Sequence, residues 1–508
     1  MLYLQWSKFN CIFDSQNLQF SKMNRINCFL PCNQASDILL TIEQFKQSPL
    51  VNSIFLLVNN PGINIEGCKT IQIDTLQSSA TIAKIAEHSD STFSLIYLKD
   101  SRLELGQFAL DRFFGIAQDT QAGMLYSDYY EVKNGKRSNH PVIDYQIGSL
   151  RDDFDFGSLL FYRSETLKNA FINNNEDYKY AGFYDLRLKV SEQAELIHIN
   201  EYLYSEIETD TRKSGEKQFD YVDPKNRIVQ IEFELACTQH LNIIGGYLEP
   251  KFKKLEFHNT DFPVEASVII PIRNRVKTVE DAIKSVLMQK TNFQFNLIII
   301  DNFSTDGTSE LIIKYAQKDN RLIHIIPTRT DLGIGGCWNE GVQSEHCGKF
   351  AVQLDSDDVY QDENTLQIMI NAFYEQNCAM VIGSYTMTNF AMETIAPGLI
   401  DHKEWTPKNG RNNALRINGL GAPRAFYTPV LREIKVPNTS YGEDYALGLR
   451  ISREYQIGRV YDSVYLCRRW DENSDAALDI QKMNGHNLYK DKIRTVELKA
   501  RIKINSKK

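Results

Sequence analysis

Four residues of this chain return unchanged 256 positions later. Leu98, Leu110, Met124 and Tyr129 correspond to Leu354, Leu366, Met380 and Tyr385 at that offset. A later stretch, LKVSEQAELIHINEYLY (188–204), matches LRISREYQIGRVYDSVY (449–465) at an offset of 261. Ordered identities at near-constant spacing point to one structural plan used twice. Two domains also suit a chain of 508 residues, which exceeds one ordinary core.

The second copy shows the plan more clearly. SVIIP (267–271), NLIIID (296–301), HIIP (324–327) and FAVQLD (350–355) are short apolar runs that read as buried strands. VEDAIKSVLMQ (279–289), Thr305 to Gln317, and NTLQIMINAFYEQ (364–376) lie between or after them with helical spacing. Apolar strands alternating with helices predict an α/β domain built on a parallel sheet covered on both faces. INCFLP (26–31), SIFLLVNN (53–60) and SLIYLKDS (94–101) repeat the outline in the first half.

In such sheets ligands sit outside the carboxyl ends of the strands, and the motifs of the second half fall there. ASVIIPIRN (266–274) and IIIDNFSTDGT (298–308) place Asp301 and Asn302 where they can meet a base edge and a ribose. Asp306 reads as a helix cap. DLGIGGCWNEG (331–341) has four glycines in eleven residues and reads as a loop that lets backbone approach a phosphate. FAVQLDSDD (350–358) delivers Asp355, Ser356 and Asp357, hard oxygen donors of the kind Mg²⁺ or Mn²⁺ prefers. SYGEDYALGLRIS (440–452) carries Glu443 and Asp444, which either favour a helix dipole or supply a carboxylate base.

The first copy departs at these positions. It has Asn59 for Asp301, Lys99 for Asp355 and Ser101 for Asp357. Lys99 would repel a divalent cation. Only 67 residues separate Pro31 from Leu98, against 83 between Pro271 and Leu354, and the shortfall lies where the second copy has its glycine-rich segment. The first copy therefore reads as a domain that kept the fold and lost the metal site. Asp128 and Asp185 are the acids on which a different site there would rest.

Taken together, the motifs of residues 264–475 resemble those of family 2 glycosyltransferases with the GT-A fold. The resemblance implies two GT-A (nucleotide-diphospho-sugar transferase, Rossmann-like) domains in tandem. These are a degenerate one over 1–240, a linker over 241–263, the catalytic one over 264–475 and a basic helical tail over 476–508. It implies metal-dependent, inverting transfer of a sugar from a UDP- or GDP-sugar to a hydroxyl of a glycan or other acceptor in polysaccharide biosynthesis. The cofactor is Mn²⁺ or Mg²⁺. Pro271 and Arg273 line the nucleotide pocket, and Asp301 and Asn302 hold the nucleoside. Gly333, Asn339, Asp355 and Ser356 complete the donor site. Asp355 and Asp357 bind metal, with Asp357 the direct ligand. Asp444 is the catalytic base and Glu443 its neighbour.

The chain departs from the family in places. Asn302 replaces an acid, and Trp470 stands where many relatives place a histidine ligand, which leaves His402 and His486 as substitutes. Arg468 and Arg469 offer an alternative contact to the diphosphate. Trp405, His402, Glu404, Arg411, Arg416 and Arg424 lie in the region that borders the acceptor in GT-A enzymes. The alternatives are a retaining transferase, a sugar-nucleotidyl transferase and a non-catalytic glycan-binding scaffold. A net charge of −8 argues against nucleic acid as a partner. No apolar run is long enough to cross a bilayer, and MLYLQWSKFNCIFDSQ makes a poor signal peptide. The expected location is the cytoplasm, with at most peripheral contact at the inner face of the membrane. The tail is expected to be a solvated helix. Nine scattered cysteines without a CxxC pair predict reduced thiols and no zinc site.

Overall fold

The computed structural model describes residues 25–60, 62–172, 176–208, 223–257, 261–470, 473 and 478–507. The leader reading of the first residues, Cys11, and parts of the charged stretch 205–235, the linker and the stretch after Trp470 lie outside them. The chain divides into two compact units. Unit one holds the described residues of Met1–Ile147, Asp153–Arg212 and Leu235–His240. Unit two holds those of Gly148–Asp152, Lys213–Glu234 and Leu241–Lys508.

Unit one is built on strands β1 (Ile26–Pro31), β2 (Val51–Val58), β3 (Lys69–Gln72), β4 (Phe93–Tyr97), β5 (Leu103–Leu105), β6 (Met124–Lys133), β7 (Lys136–His140), β8 (Leu159–Arg163) and β9 (Leu196–Ile207). They lie in the order β3-β2-β1-β4-β8-β6-β9-β5, with β7 beside β6. Unit two has β10 (Ala266–Ile272), β11 (Phe295–Asp301), β12 (Leu322–Ile325), β13 (Phe350–Gln353), β14 (Val359–Tyr360), β15 (Met380–Asn389), β16 (Thr394–Ile400), β17 (Arg424–Tyr427) and β18 (Ile457–Arg469). Their order, β12-β11-β10-β13-β17-β15-β18-β14 with β16 beside β15, repeats that of unit one strand for strand.

Register repeats as well. Met124 pairs with Leu196 and Tyr129 with Tyr204; at the two offsets these become Met380 with Ile457 and Tyr385 with Tyr465. Both strand pairs shift register on either side of one residue, Asp128 in unit one and Ser384 in unit two. Shared irregularities of this kind are features of the plan rather than accidents of packing.

The expectation of a parallel sheet holds for only part of each unit. β12, β11, β10 and β13 are parallel, but β17 runs antiparallel between β13 and β15. The apolar runs reveal burial on both faces, not direction. The core forms where those runs meet helical stripes: the helix Val279–Leu287 buries Val279, Ala282, Ile283 and Val286 against it.

The tail is helical over Ile480–Asn505, yet it is not a solvated helix. Its buried face is charged, carrying Lys490, Asp491, Arg494, Glu497 and Arg501 beside Leu498. Arg494 pairs with Asp491 at 2.8 Å, and Glu497 with Arg501 at 2.8 Å and Arg453 at 2.5 Å. Burial of Asp491, Arg494, Glu497 and Arg501 is tolerated because each is paired, and Lys490 donates to the Asn418 carbonyl. No described helix is long and apolar enough to cross a membrane. Cys28, Cys337, Cys347 and Cys378 are free and buried, and Cys68 is free and half-buried.

Candidate active site

Strands β10, β11 and β13 end together on one edge of unit two. Pro271 is half-buried near the end of β10, and Arg273 is exposed just beyond it. Asp301 closes β11, fully buried. Its carboxylate accepts from the Ser304 amide at 3.0 Å and the Ser309 hydroxyl at 2.5 Å, and lies 3.2 Å from His324 Nε2. Burial pushes this carboxyl up, but those hydrogen bonds prevail and hold it below the ordinary range. Asn302 donates to the Leu332 carbonyl at 2.9 Å, while its Oδ1 is buried without a protein partner. Asp306 accepts from the amides of Val276 and Thr308, a structural role in the turn, but the cap position of the following helix is Gly307, so Asp306 is not the cap residue expected.

The glycine-rich segment is not a loop. A helix begins at Ile334, and its glycines permit close packing. A Cβ on Gly335 would lie 1.8 Å from the Pro437 carbonyl oxygen, and one on Gly333 2.7 Å from the Thr439 carbonyl carbon. Asn339 is committed to the same contact: it donates to the Val436 carbonyl at 2.7 Å and accepts from its amide at 3.0 Å. The run that suggested a phosphate cradle thus seats this helix on the segment leading to Glu443. Backbone freedom and close packing both require glycine, and sequence does not distinguish them.

The turn after β13 sorts its acids by environment. Asp358 is buried and accepts from the Tyr465 hydroxyl at 2.8 Å and the Arg468 amide at 2.7 Å. Burial, reinforced by Asp357 and Asp355, raises its carboxyl well above the usual range. Ser356 is buried. Asp357 is half-buried; its Oδ2 accepts from Asn473 Nδ2 at 3.1 Å and faces the Trp470 indole nitrogen at 3.4 Å. Asp355 is exposed to solvent, and Gln353 donates to it at 2.7 Å. The surrounding protein raises its carboxyl; Arg424 pulls the other way and Asp357 adds to the rise.

Glu443 and Asp444 open the helix Glu443–Ser452. Asp444, its side chain 24% exposed, forms an ion pair of 2.6 Å with Arg424, which stands at the start of β17. Burial opposes ionisation of Asp444, but Arg424, then Lys490, hold its carboxyl below the ordinary range. Glu443 goes the other way. Burial, with Asp444 adding, pushes it up to about 7, and its Oε2 is buried without a partner. Arg424 feels Asp444, Asp355 and Glu443 together. The fold therefore gathers the β13 turn and the Glu443–Asp444 pair into one charged cluster around Arg424. The donor set is of hard oxygens, and Asp355 and Asp357 suit Mg²⁺ or Mn²⁺ that keeps sites for water and phosphate. Among the described residues, no three His, Cys, Asp or Glu side chains form a ready-made metal cage.

Most of the expected acceptor residues lie elsewhere. Trp405 is fully buried, with Arg459 over its ring at 5.3 Å, so it cannot stack on a sugar. Arg411 donates to the carbonyls of Glu249, Lys251, Ser452 and Arg453, and Arg416 is buried against Asp152. Both serve the core, and Arg411 secures the expected linker. Glu404 is buried 3.7 Å from Arg227. His402 is buried beside Gly421 and Glu404, and His486 stacks on Tyr441. Arg468 is buried, donating to the Asp357 carbonyl and to Asp281 at 2.8 Å. The motifs did not disclose Gln353 and Tyr465. Tyr465 does repeat Tyr204 at the second offset, which was a usable signal.

A family match falls in the same half of the chain. The model of the family described as glycosyl transferase family 2 matches residues 267–428. An uncharacterized glycosyltransferase of Haemophilus influenzae is 30% identical over 195 residues, which cover 38% of this chain and 74% of that protein. The putative teichuronic acid biosynthesis glycosyltransferase TuaG of Bacillus subtilis is 30% identical over 128 residues, 25% of this chain and 49% of TuaG. An uncharacterized glycosyltransferase of Rickettsia conorii is 30% identical over 199 residues, 38% of this chain and 31% of its own length. The chain thus spans 49% and 31% of the length of these last two relatives. Among solved structures, S. aureus TarS 1-349 in complex with UDP-GlcNAc is similar at 21% identity and a TM-score of 0.36, covering 47% of this chain and 72% of that one.

Proposed function

The chain belongs to glycosyl transferase family 2, and from that premise we propose that unit two transfers a sugar, with inversion, from a nucleotide-diphosphate sugar to an acceptor hydroxyl. The observation that carries this reading is the cluster in which Asp355 and Asp357 at the end of β13 face the Glu443–Asp444 pair through Arg424. Asp444 takes the acceptor proton as the hydroxyl attacks the anomeric carbon. Its pairing with Arg424 keeps it ionised and aimed. Asn302, with an unused buried acceptor, and exposed Arg273 border the nucleoside at the ends of β11 and β10. Asp355 and Asp357 would hold Mn²⁺ or Mg²⁺, whose charge, when bound, offsets that of the departing diphosphate. The similarity to TuaG supports a growing surface polysaccharide as acceptor.

The test is thermal stabilisation by a panel of UDP-, GDP-, CDP- and dTDP-sugars with and without Mn²⁺, followed by NMR of the product anomer. A ligand that binds only the folded state raises Tm by mass action. The expected result is a metal-dependent shift with one nucleotide, lost in Asp357→Ala, and an inverted product. A retained anomer sinks the inverting assignment. A shift that is unchanged in Asp357→Ala sinks the proposed metal site.

A further inference from the structure

We propose that the C-terminal helix Ile480–Asn505 is part of the active site, with Lys490 as the residue that positions the Glu443–Asp444 pair. The catalytic half of this inference rests on the reading above; the positional half stands on geometry alone.

Three successive turns of the helix grip residues 441–445. His486 stacks on Tyr441 with ring centroids 3.7 Å apart and planes within 11°. One turn on, Tyr489 and Lys490 lie directly under Gly442: a Cβ there would sit 3.2 Å from the Tyr489 ring and 3.6 Å from Lys490 Cε. Gly442 has φ of 75°, so the chain enters the helix of Glu443 through a left-handed residue seated on this surface. One turn further, Arg494 donates Nε to the Tyr445 hydroxyl at 2.7 Å and Nη2 to the Ile417 carbonyl at 2.9 Å. Positions 486, 490 and 494 share one helix face.

Lys490 is the centre of this grip. It is 7% exposed, and its ammonium donates to the Asn418 carbonyl at 2.6 Å. It lies 4.5 Å from the Tyr441 ring centroid and 5.6 Å from that of Tyr445. Those rings flank Glu443 and Asp444 in sequence, so one cation pins both sides of the acidic pair. Glu497, paired with Arg453 at 2.5 Å, and Arg501, donating to the Arg411 carbonyl at 2.8 Å, fix the helix to the rest of the unit. Lys490 thus holds the residues on either side of the acidic pair, whereas Arg424 pairs with Asp444 directly. A base displaced by a fraction of an ångström loses rate without losing donor affinity.

Hydrogen exchange and steady-state kinetics on the full chain test this, with Lys490→Met, Lys490→Arg and exposed Lys499→Met as the control. Lys490→Met should raise exchange across 441–447 while leaving 266–301 unchanged, and Lys490→Arg should restore protection. Kinetically, Lys490→Met should lower kcat by about tenfold to a hundredfold with the donor KM within about twofold, and Lys499→Met should match the wild type. Unchanged exchange at 441–447 overturns the positioning role. An equal rise at 266–301 also overturns it, by making Lys490 an ordinary core residue. A normal kcat in Lys490→Met overturns the catalytic half. If the wild type transfers no sugar, the functional reading fails by itself, and exchange still decides the role of Lys490.

Discussion

The two units answer one structural problem with opposite charge. In unit two the strand that ends at Gln353 leads to Asp355, Asp357 and Asp358. In unit one the equivalent strand ends at Tyr97 and leads to Lys99, whose ammonium lies 2.5 Å from Glu206 of β9. Glu206 also accepts from the Ser158 hydroxyl. Burial raises the Glu206 carboxyl, and Lys99 opposes that rise. A carboxylate cluster suited to an external cation is thus replaced by a carboxylate with its own internal one. The strand frame is kept, but among the described residues the helix Thr308–Ala316 between β11 and β12 has no counterpart between β2 and β3. The shortfall of unit one lies there and not at the glycine-rich segment, whose place is taken by the helix Ser79–Glu87. The Ser79 amide donates to the Tyr178 carbonyl at 2.8 Å, and at the two offsets Gly335 donates to Thr439 at 2.9 Å. Where unit two opens its helix with Glu443 and Asp444, unit one has Gly182 and Phe183. By sheet register, Leu160 takes the place of Arg424. Asp128 and Asp185, the acids on which a different site in unit one would rest, each have a partner within that unit. His198 lies 2.8 Å from Asp128, and Lys189 donates to Asp185 at 2.6 Å. Backbone pairing and apolar packing hold the same sheet in both units, while the residues at the strand ends differ.

The largest effect that would break this contrast is catalytic. Asp357→Ala and Asp444→Asn should each lower kcat by about a thousandfold, whereas Lys99→Met should leave turnover of the folded enzyme within about twofold. Calorimetric titration should find one nucleotide site per chain, absent in Asp357→Ala; a second site would overturn the reading of unit one.

Next in size is the stability of unit one. Lys99→Met leaves the buried Glu206 uncompensated and should destabilise unit one by about 2–3 kcal/mol, below the value for a fully buried pair because Lys99 is partly exposed. The double variant Lys99→Met, Glu206→Gln should recover most of that loss in a melting experiment.

The pH responses should also diverge. In unit one, His140 lies 2.9 Å from Asp155 and 3.7 Å from Glu131. Burial disfavours its charge, but these carboxylates prevail and push its pKa up to about 9. A folded pKa above the unfolded value means that this stabilisation is fully present below about pH 6.5 and is lost as pH rises through about 9. Hydrogen exchange of unit one at pH 6 and pH 9.5 should show the loss, and His140→Phe should flatten it. In unit two, Glu443 titrates near 7 beside Asp444. Its ionisation adds negative charge next to the base, so kcat should rise through about pH 7, and Glu443→Gln should remove that limb.

The smallest effect compares two equivalent tyrosines. The Tyr465 hydroxyl accepts from the Asp355 amide at 3.2 Å and donates to Asp358; that of Tyr204 accepts from the Ser158 amide at 2.9 Å. Tyr465→Phe and Tyr204→Phe should each cost about 1–2 kcal/mol of stability, but only Tyr465→Phe should slow transfer.

Sequence alone determined the duplicated plan, the apolar strands and the acids at their ends, because short β-branched runs and hard carboxylates carry their meaning locally. The tertiary structure decided what those local signals leave open. The antiparallel β17 could not be read from apolar runs, which report burial and not direction. The glycines of 333–341 proved to be packing contacts, because a missing side chain looks the same beside a phosphate as beside Pro437. Trp405, Arg411 and Arg416 read as acceptor residues since polarity suggests exposure, yet their partners lie far along the chain. The C-terminal helix read as solvated for the same reason. Its buried face is charged, and a charged face becomes interior only when Tyr445, Arg453 and Arg411 are folded around it. Pairing across the fold is a property of three dimensions, and it is what brought Lys490 and Arg424 to Asp444.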